Sequence, residues 1–166
     1  MRQDGAEIGA EIEWPRGDNT RVPYQVFMDE RVHAREQARI FQGPSWQFLC
    51  LADEVAAPGD WKTSFLGETP IVVTRDENSA INAFENRCVH KGSLVCLADR
   101  GNDAALTCVY HNWTYDLAGR LQSVAFRHGI KGEGGMGEDF RLADHRLRPL
   151  RVAEIAGLVF ATFASD

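Results

Sequence analysis

Two short cysteine–histidine pairs constrain this chain more than anything else in it: Cys88-x-His90 and Cys108-x-x-His111, with seventeen residues between them. Donors one or two residues apart can face a single centre only from a tight loop. Two such loops can close on that centre from opposite sides. Gly92 and Gly101, in and after the first loop, supply the freedom to turn. Two thiolates and two imidazoles suit either zinc or an iron–sulfur cluster. Zinc pairs usually leave at least two residues between their ligands, whereas Cys88-x-His90 leaves one.

Four cysteines could also make two disulfides, but two of them sit next to histidines at ligand spacing, which favours metal binding in a reducing compartment. Cys50, inside the apolar run WQFLCL, reads as a buried free thiol, and so does Cys96. The start, MRQDGAEIGAEIE, lacks the basic-then-apolar order of a signal peptide, and no run approaches the length of a membrane span. A cytoplasmic protein is expected. With 24 acidic against 18 basic residues there is no basic footprint for nucleic acid.

At 166 residues and 44% apolar content, the chain is long enough to bury a core of its own. Residues 1–17 are acidic and without sustained period, and predict a mobile tail. Residues 18–43 form an arm with one helix: Asp29 is a good N-cap, and ERVHAREQARIFQ runs about three turns to Gly43-Pro44. Its sparse apolar positions predict a surface location. From residue 44 to 166 the pattern becomes short β-like runs: WQFLCL, FLGETPIVVTR, INAFENRC, ALTCVY, WTYD, LQSVAF, then a final hairpin turning near Ala156-Gly157. Such spacing predicts a mostly β domain, a small antiparallel sandwich or barrel, with the ligand loops (86–115) as a subdomain at one tip. Gly132, Gly134 and Gly137 satisfy G-x-G-x-x-G, but the stretch lacks strand–helix context and reads as a surface loop. Asn112-Trp113-Thr114 matches a glycosylation pattern by accident in a cytoplasmic chain.

The segment from Cys88 to Tyr115 resembles the Rieske 2Fe-2S signature. Beyond the four ligand positions the likeness includes Lys91 and Gly92 after His90, and the run Tyr110, His111, Trp113, Tyr115. It extends over about residues 18–164, through NTRVPY, RIFQGPSWQFLCL, GETPIVV, AFENRCVHKG, SVAF and GLVFATF, and is similar to the large (alpha) subunits of aromatic ring-hydroxylating dioxygenases, particularly those acting on terephthalate, anthranilate, salicylate or halobenzoates. The resemblance implies a Rieske-type β fold and a 2Fe-2S cluster, with Cys88 and Cys108 on the inner iron and His90 and His111 on the outer.

Two imidazoles in place of two thiolates make the centre less negative, so Rieske potentials span roughly −150 to +300 mV against about −400 mV for plant-type ferredoxins. High-potential members carry a serine two residues after the second histidine and a disulfide between the loops. This chain has Trp113 there, and Val109-Tyr110 where the second extra cysteine would stand. A low potential is therefore expected. Tyr115 is expected to donate to a ligand sulfur, and Trp113 to pack over the cluster. Asn112 replaces the usual glycine but tolerates a left-handed turn. Arg87, Lys91 and Arg100 rim the first loop and would steer an acidic electron donor.

The resemblance implies a reductase or ferredoxin as donor and a mononuclear non-haem iron domain as acceptor, with trimers common in the family and a small beta subunit in some members. The iron domain would be expected to follow residue 166, outside this chain. The chain is thus expected to be a component of an oxidoreductase in aromatic hydrocarbon catabolism that does not turn over alone. A stand-alone Rieske ferredoxin and a structural zinc module are the alternatives.

Overall fold

The apolar run TPIVVTR becomes a strand, β3 (Thr69–Arg75), buried over nearly its whole length. The computed structural model describes residues 12–15, 20–131 and 133–165; most of the expected tail, residues 1–11 and 16–17, lies outside them. On either side of β3, and antiparallel to it, run β2 (Asp60–Leu66) and β4 (Ile81–Glu85). Alternate side chains of a strand face opposite ways. Ile71 and Val73 therefore enter one core with Leu49, Val55, Leu66, Leu150 and Val159, while Val72 enters another with Trp61, Phe84, Leu106 and Tyr115. The second core also holds Cys88 and Cys108. One central strand thus divides a core that carries no ligand from a core that backs both ligand loops.

The remaining strands are β1 (Gln47–Leu51), β5 (Arg100–Asn102), β9 (Pro149–Ile155) and β10 (Leu158–Thr162), which complete a seven-stranded sheet in the order β1-β10-β9-β4-β3-β2-β5. Every pairing is antiparallel. The sheet curls until β1 meets β2, where Ser64 Oγ donates to the Leu49 carbonyl at 3.1 Å. A smaller sheet of β6 (Leu106–Thr107), β7 (Thr114–Tyr115) and β8 (Leu121–Ser123) stands at one end. It is pinned to β3 by the Thr74 hydroxyl, which donates to the Leu117 carbonyl at 2.6 Å in a buried contact. Curled antiparallel sheet and appended small sheet match the mostly β expectation. The final hairpin turns where the sequence placed it, with Ala156 (φ 51°) and Gly157 (φ 79°) both left-handed, as a two-residue hairpin turn requires.

The arm carries the expected helix after Asp29, with two local features. A one-turn helix α1 (Gln25–Met28) precedes α2 (Glu30–Glu36), whose N-cap is Asp29 with its carboxylate accepting from Arg31 N at 2.9 Å. The regular helix then gives way to a π-helical turn over Gln37–Phe41. Side chains of that turn and its exit face the barrel: Gln37 Oε1 accepts from Glu68 N at 3.0 Å, and Gln42 Nε2 donates to Thr69 Oγ1 at 3.2 Å. Widened turns accompany such local demands. No residue of α1, α2 or the π turn is buried, in keeping with the sparse apolar pattern. Among the described residues no helix is long and apolar enough to cross a membrane. Among its described residues the glycine-rich stretch forms a loop with one isolated bridge, Ile130 to Glu133, and no strand-to-helix turn.

Candidate metal centre

The first ligand loop leaves β4 and the second joins β6 to β7, yet they share one backbone frame. In the first, Cys88 O accepts from Gly92 N and Cys88 N donates to Ser93 O, both at 2.8 Å. In the second, Cys108 O accepts from Asn112 N and Cys108 N donates to Trp113 O, both at 2.9 Å. Each loop is closed by a left-handed residue four after its cysteine: Gly92 at φ 74° and Asn112 at φ 54°. A Cβ on Gly92 would meet nothing within 4 Å, so glycine serves the backbone angle there and asparagine can do the same in the second loop. The frame explains the unequal ligand spacing. Each histidine occupies a different corner of the same closed turn.

Inside that frame the donors gather. Cys88 and Cys108 are free thiols, 3% and 1% exposed. The His90 and His111 rings lie 4.7 Å apart between centroids, inclined at 72°. His90 Nδ1 is fully buried with no hydrogen-bond partner. An orphaned buried nitrogen is costly, and a metal ion would satisfy it. Burial, then the neighbouring His111 and Lys91, lower the proton affinity of His90 and favour the neutral imidazole that a metal requires. Burial pushes the Cys88 thiol up; the Tyr115 hydroxyl and the His90 backbone N–H draw it down, and adjacent Cys108 raises it again. A bound cation reverses that balance and ionises a coordinating thiol. The two thiols lie beside each other, and the two imidazoles pair with each other. Tetrahedral zinc needs four converging donors, whereas a two-iron cluster needs separate pairs. The donor set fits the cluster.

Tyr115 is fully buried, accepts from Val89 N at 3.3 Å and places its hydroxyl 3.2 Å from Cys88 Sγ. Burial first, then Cys88, hold its pKa well above the usual tyrosine value, so the hydroxyl keeps its proton. Trp113 is buried and lies flat on the His90 ring, 4.8 Å between centroids and 6° between planes, so its contact is with that ligand's ring. Tyr110 is exposed and rests on His111 at 3.9 Å. Lys91 is exposed beside His90; Arg100 is exposed too, but sits on β5 near Glu54. Arg87 is less available for steering than the sequence suggested: its guanidinium donates to the Gly92 carbonyl at 3.2 Å and lies 3.6 Å from Glu85. Sequence reasoning missed Asn86. Buried at 2% exposure, it donates to Cys96 O at 2.8 Å and accepts from Val95 N and Cys96 N, which ties the exit of the first loop to its entrance.

Burial raises the other two thiols, Cys50 to about 11 and Cys96 to about 12. At pH 8 both stay protonated and shielded, and the thiolate is the reactive form. Iodoacetamide is therefore expected to leave both unmodified in the folded protein and to label both after unfolding in urea, read by peptide mass spectrometry. Rapid native labelling of Cys96 would show that the Asn86 clasp opens.

A curled β domain carrying twin thiol–imidazole loops at one end defines the class as a small iron–sulfur protein. The family model for the Rieske [2Fe-2S] domain matches residues 45–132, and the chain belongs to that family. Over 157 residues it is 50% identical to the anthranilate 1,2-dioxygenase large subunit of Burkholderia cepacia, covering 95% of this chain and 37% of that protein. It is 47% identical to the terminal oxygenase component subunit alpha 2 of terephthalate 1,2-dioxygenase from Comamonas sp., covering 93% and 38%. Among solved structures, naphthalene 1,2-dioxygenase from Rhodococcus sp. bound to indole superposes with a TM-score of 0.73 at 34% identity, over 82% of this chain and 30% of that one. The chain thus spans between 30% and 38% of the length of these relatives. The chain carries the Rieske domain of the ring-hydroxylating dioxygenase alpha-subunit type, with a Rieske-type 2Fe-2S cluster as its cofactor and electron transfer as its implied role.

Proposed function

We propose that Cys88 and Cys108 hold one iron and His90 and His111 the other, and that the domain relays single electrons to a mononuclear iron that hydroxylates a carboxylated aromatic ring. The observation that carries the ligand set is the orphaned, buried Nδ1 of His90 beside His111, at the end of the core that also buries both thiols. A Rieske cluster bound there supplies a one-electron couple. The chain's own residues then set how easily the electron is taken up and where it can leave. His111 is exposed and flanked by exposed Val109 and Tyr110, so that end of the domain is open to a partner. The opposite side of the donor set is sealed by Trp113, Tyr115 and Leu106.

The substrate class and partners rest on the relatives. Anthranilate and terephthalate, in the names of the two relatives above, both carry a carboxylate on the ring. A reductase or ferredoxin would supply the electrons, and the oxygenase iron would lie in a further domain. A cytoplasmic setting suits a centre built on reduced thiols.

The decisive experiment is iron and acid-labile sulfide analysis with electron paramagnetic resonance after dithionite reduction. Two irons and two sulfides per chain with a rhombic signal of low average g are expected. Zinc without sulfide would end the electron-transfer reading.

Tyr115 tunes the couple. Its hydroxyl, polarised by Val89 N–H, donates to Cys88 Sγ, and a hydrogen bond to sulfur favours the reduced, more negative state. Such a bond is worth about 1–1.5 kcal/mol, roughly 40–65 mV for one electron. Tyr115→Phe is expected to lower the midpoint potential by that amount while leaving iron content unchanged; protein-film voltammetry reads it. An unshifted potential would show that the hydroxyl only fills space.

A further inference from the structure

The segment between β8 and β9 carries no ligand, and the proposed function gives it no task. Its second half nevertheless packs against Trp113, the residue stacked on His90. Phe140 sets its edge against the Trp113 indole at 5.7 Å and 76°, and His145 does the same at 5.8 Å and 74°. The two rings also pack on each other at 4.4 Å. Both are fixed from behind. His145 Nδ1 donates to the Arg141 carbonyl at 2.9 Å, and Arg127 donates to the Phe140 carbonyl at 3.3 Å with its guanidinium 5.9 Å from the Phe140 ring centroid. Phe140 also packs on the core that holds Trp113.

We infer that Phe140 and His145 are positioning residues that hold the Trp113 indole flat against His90 and so fix the plane of that ligand's ring. This inference rests on the ligand assignment proposed above. A histidine bound through one nitrogen keeps one soft freedom, rotation about its bond to the metal. Its ring plane decides how the ligand orbitals overlap those of the iron. A parallel neighbour at stacking distance opposes that rotation. The indole can do so only if it cannot tilt itself, and two rings packed against it at a steep angle to its plane supply the restraint. Outer-shell groups commonly orient ligating histidines through the free ring nitrogen. Here the restraint acts on the ring face.

The test uses the full chain with its cluster, reduced, and reads the nitrogen couplings of the two histidines by pulsed electron paramagnetic resonance. Phe140→Ala is expected to keep its iron but to broaden the couplings of one imidazole and the spread of g values. Phe140→Tyr, which keeps the ring, is expected to restore the wild-type spectrum. Leu66→Ala, in the core without ligands, is expected to lower thermal stability and leave the spectrum untouched. Wild-type couplings in Phe140→Ala, or equal broadening in Leu66→Ala, would overturn the inference. Should Phe140→Ala fail to retain iron, Phe140→Leu is read in the same way, with broadening supporting the clamp and an unchanged spectrum refuting it. A wild-type spectrum without couplings from two imidazole nitrogens would remove the ligand assignment itself, a failure separate from that of the clamp.

Discussion

Cys88→Ala is expected to cost the protein nearly all of its iron and all of its colour while leaving the β fold in place. Cys88 is 3% exposed and lies beside the equally buried Cys108, so no water or surface side chain can stand in for its sulfur. The loss removes one of two anionic donors, and the remaining thiolate with two neutral imidazoles cannot balance two ferric ions and their sulfides. The fold is expected to survive because residue 88 helps close the first loop through its backbone N–H and carbonyl, which alanine also possesses, and the Asn86 and Arg87 contacts do not involve its side chain. Iron and sulfide per chain, visible absorption and far-ultraviolet circular dichroism together check this. A variant that still binds two irons would show that the ligand set lies elsewhere.

Phe84→Ala is expected to have the largest effect on stability. Phe84 is 1% exposed and belongs to the core behind the ligand loops, on the strand beside β3. Its ring sits so close under the β7–β8 turn that a Cβ on Gly119 would come within 2.8 Å of it. Truncation therefore opens a cavity at the seam between the two sheets, where the backbone has little freedom to collapse. Phenylalanine-to-alanine changes in such sites cost about 3–5 kcal/mol. For a domain of this size that corresponds to a fall in melting temperature of roughly 6–20 °C. Thermal unfolding followed by circular dichroism reads it. A loss below about 1 kcal/mol would mean that the small sheet settles into the gap, a smaller cost than cavity-forming changes usually carry.

That two thiol–imidazole pairs would come together was legible because a histidine one or two residues from a cysteine is a local pattern, and so was the Ala156-Gly157 turn. The surface position of the arm was legible for the same reason. What was not legible is non-local. That Ile71 and Val72 serve different cores depends on what lies beyond each sheet face, and TPIVVTR shows only that both faces are covered. The widened turn after Glu36 answers to Glu68 and Thr69, some thirty residues away in sequence. Phe140 and His145 sit far along the chain from Trp113, in a stretch whose composition advertised only glycine. Asn86 had a faint signal, an amide side chain at a strand end two residues before a ligand. Its three backbone partners, however, are set by how the loop returns. The matching frames of the two loops were hidden by their unequal spacing, since the shared hydrogen bonds are counted from the cysteine and not between ligands.

Those matching frames also bear on how the protein is made. Each loop is tied shut by its own main chain, at Cys88 through Gly92 and Ser93 and at Cys108 through Asn112 and Trp113, with no contribution from iron. Folding and loading are then separable events. A newly synthesised chain can finish its sockets first and wait for cargo, and whatever delivers iron and sulfide meets a fitted receptacle instead of a disordered tail.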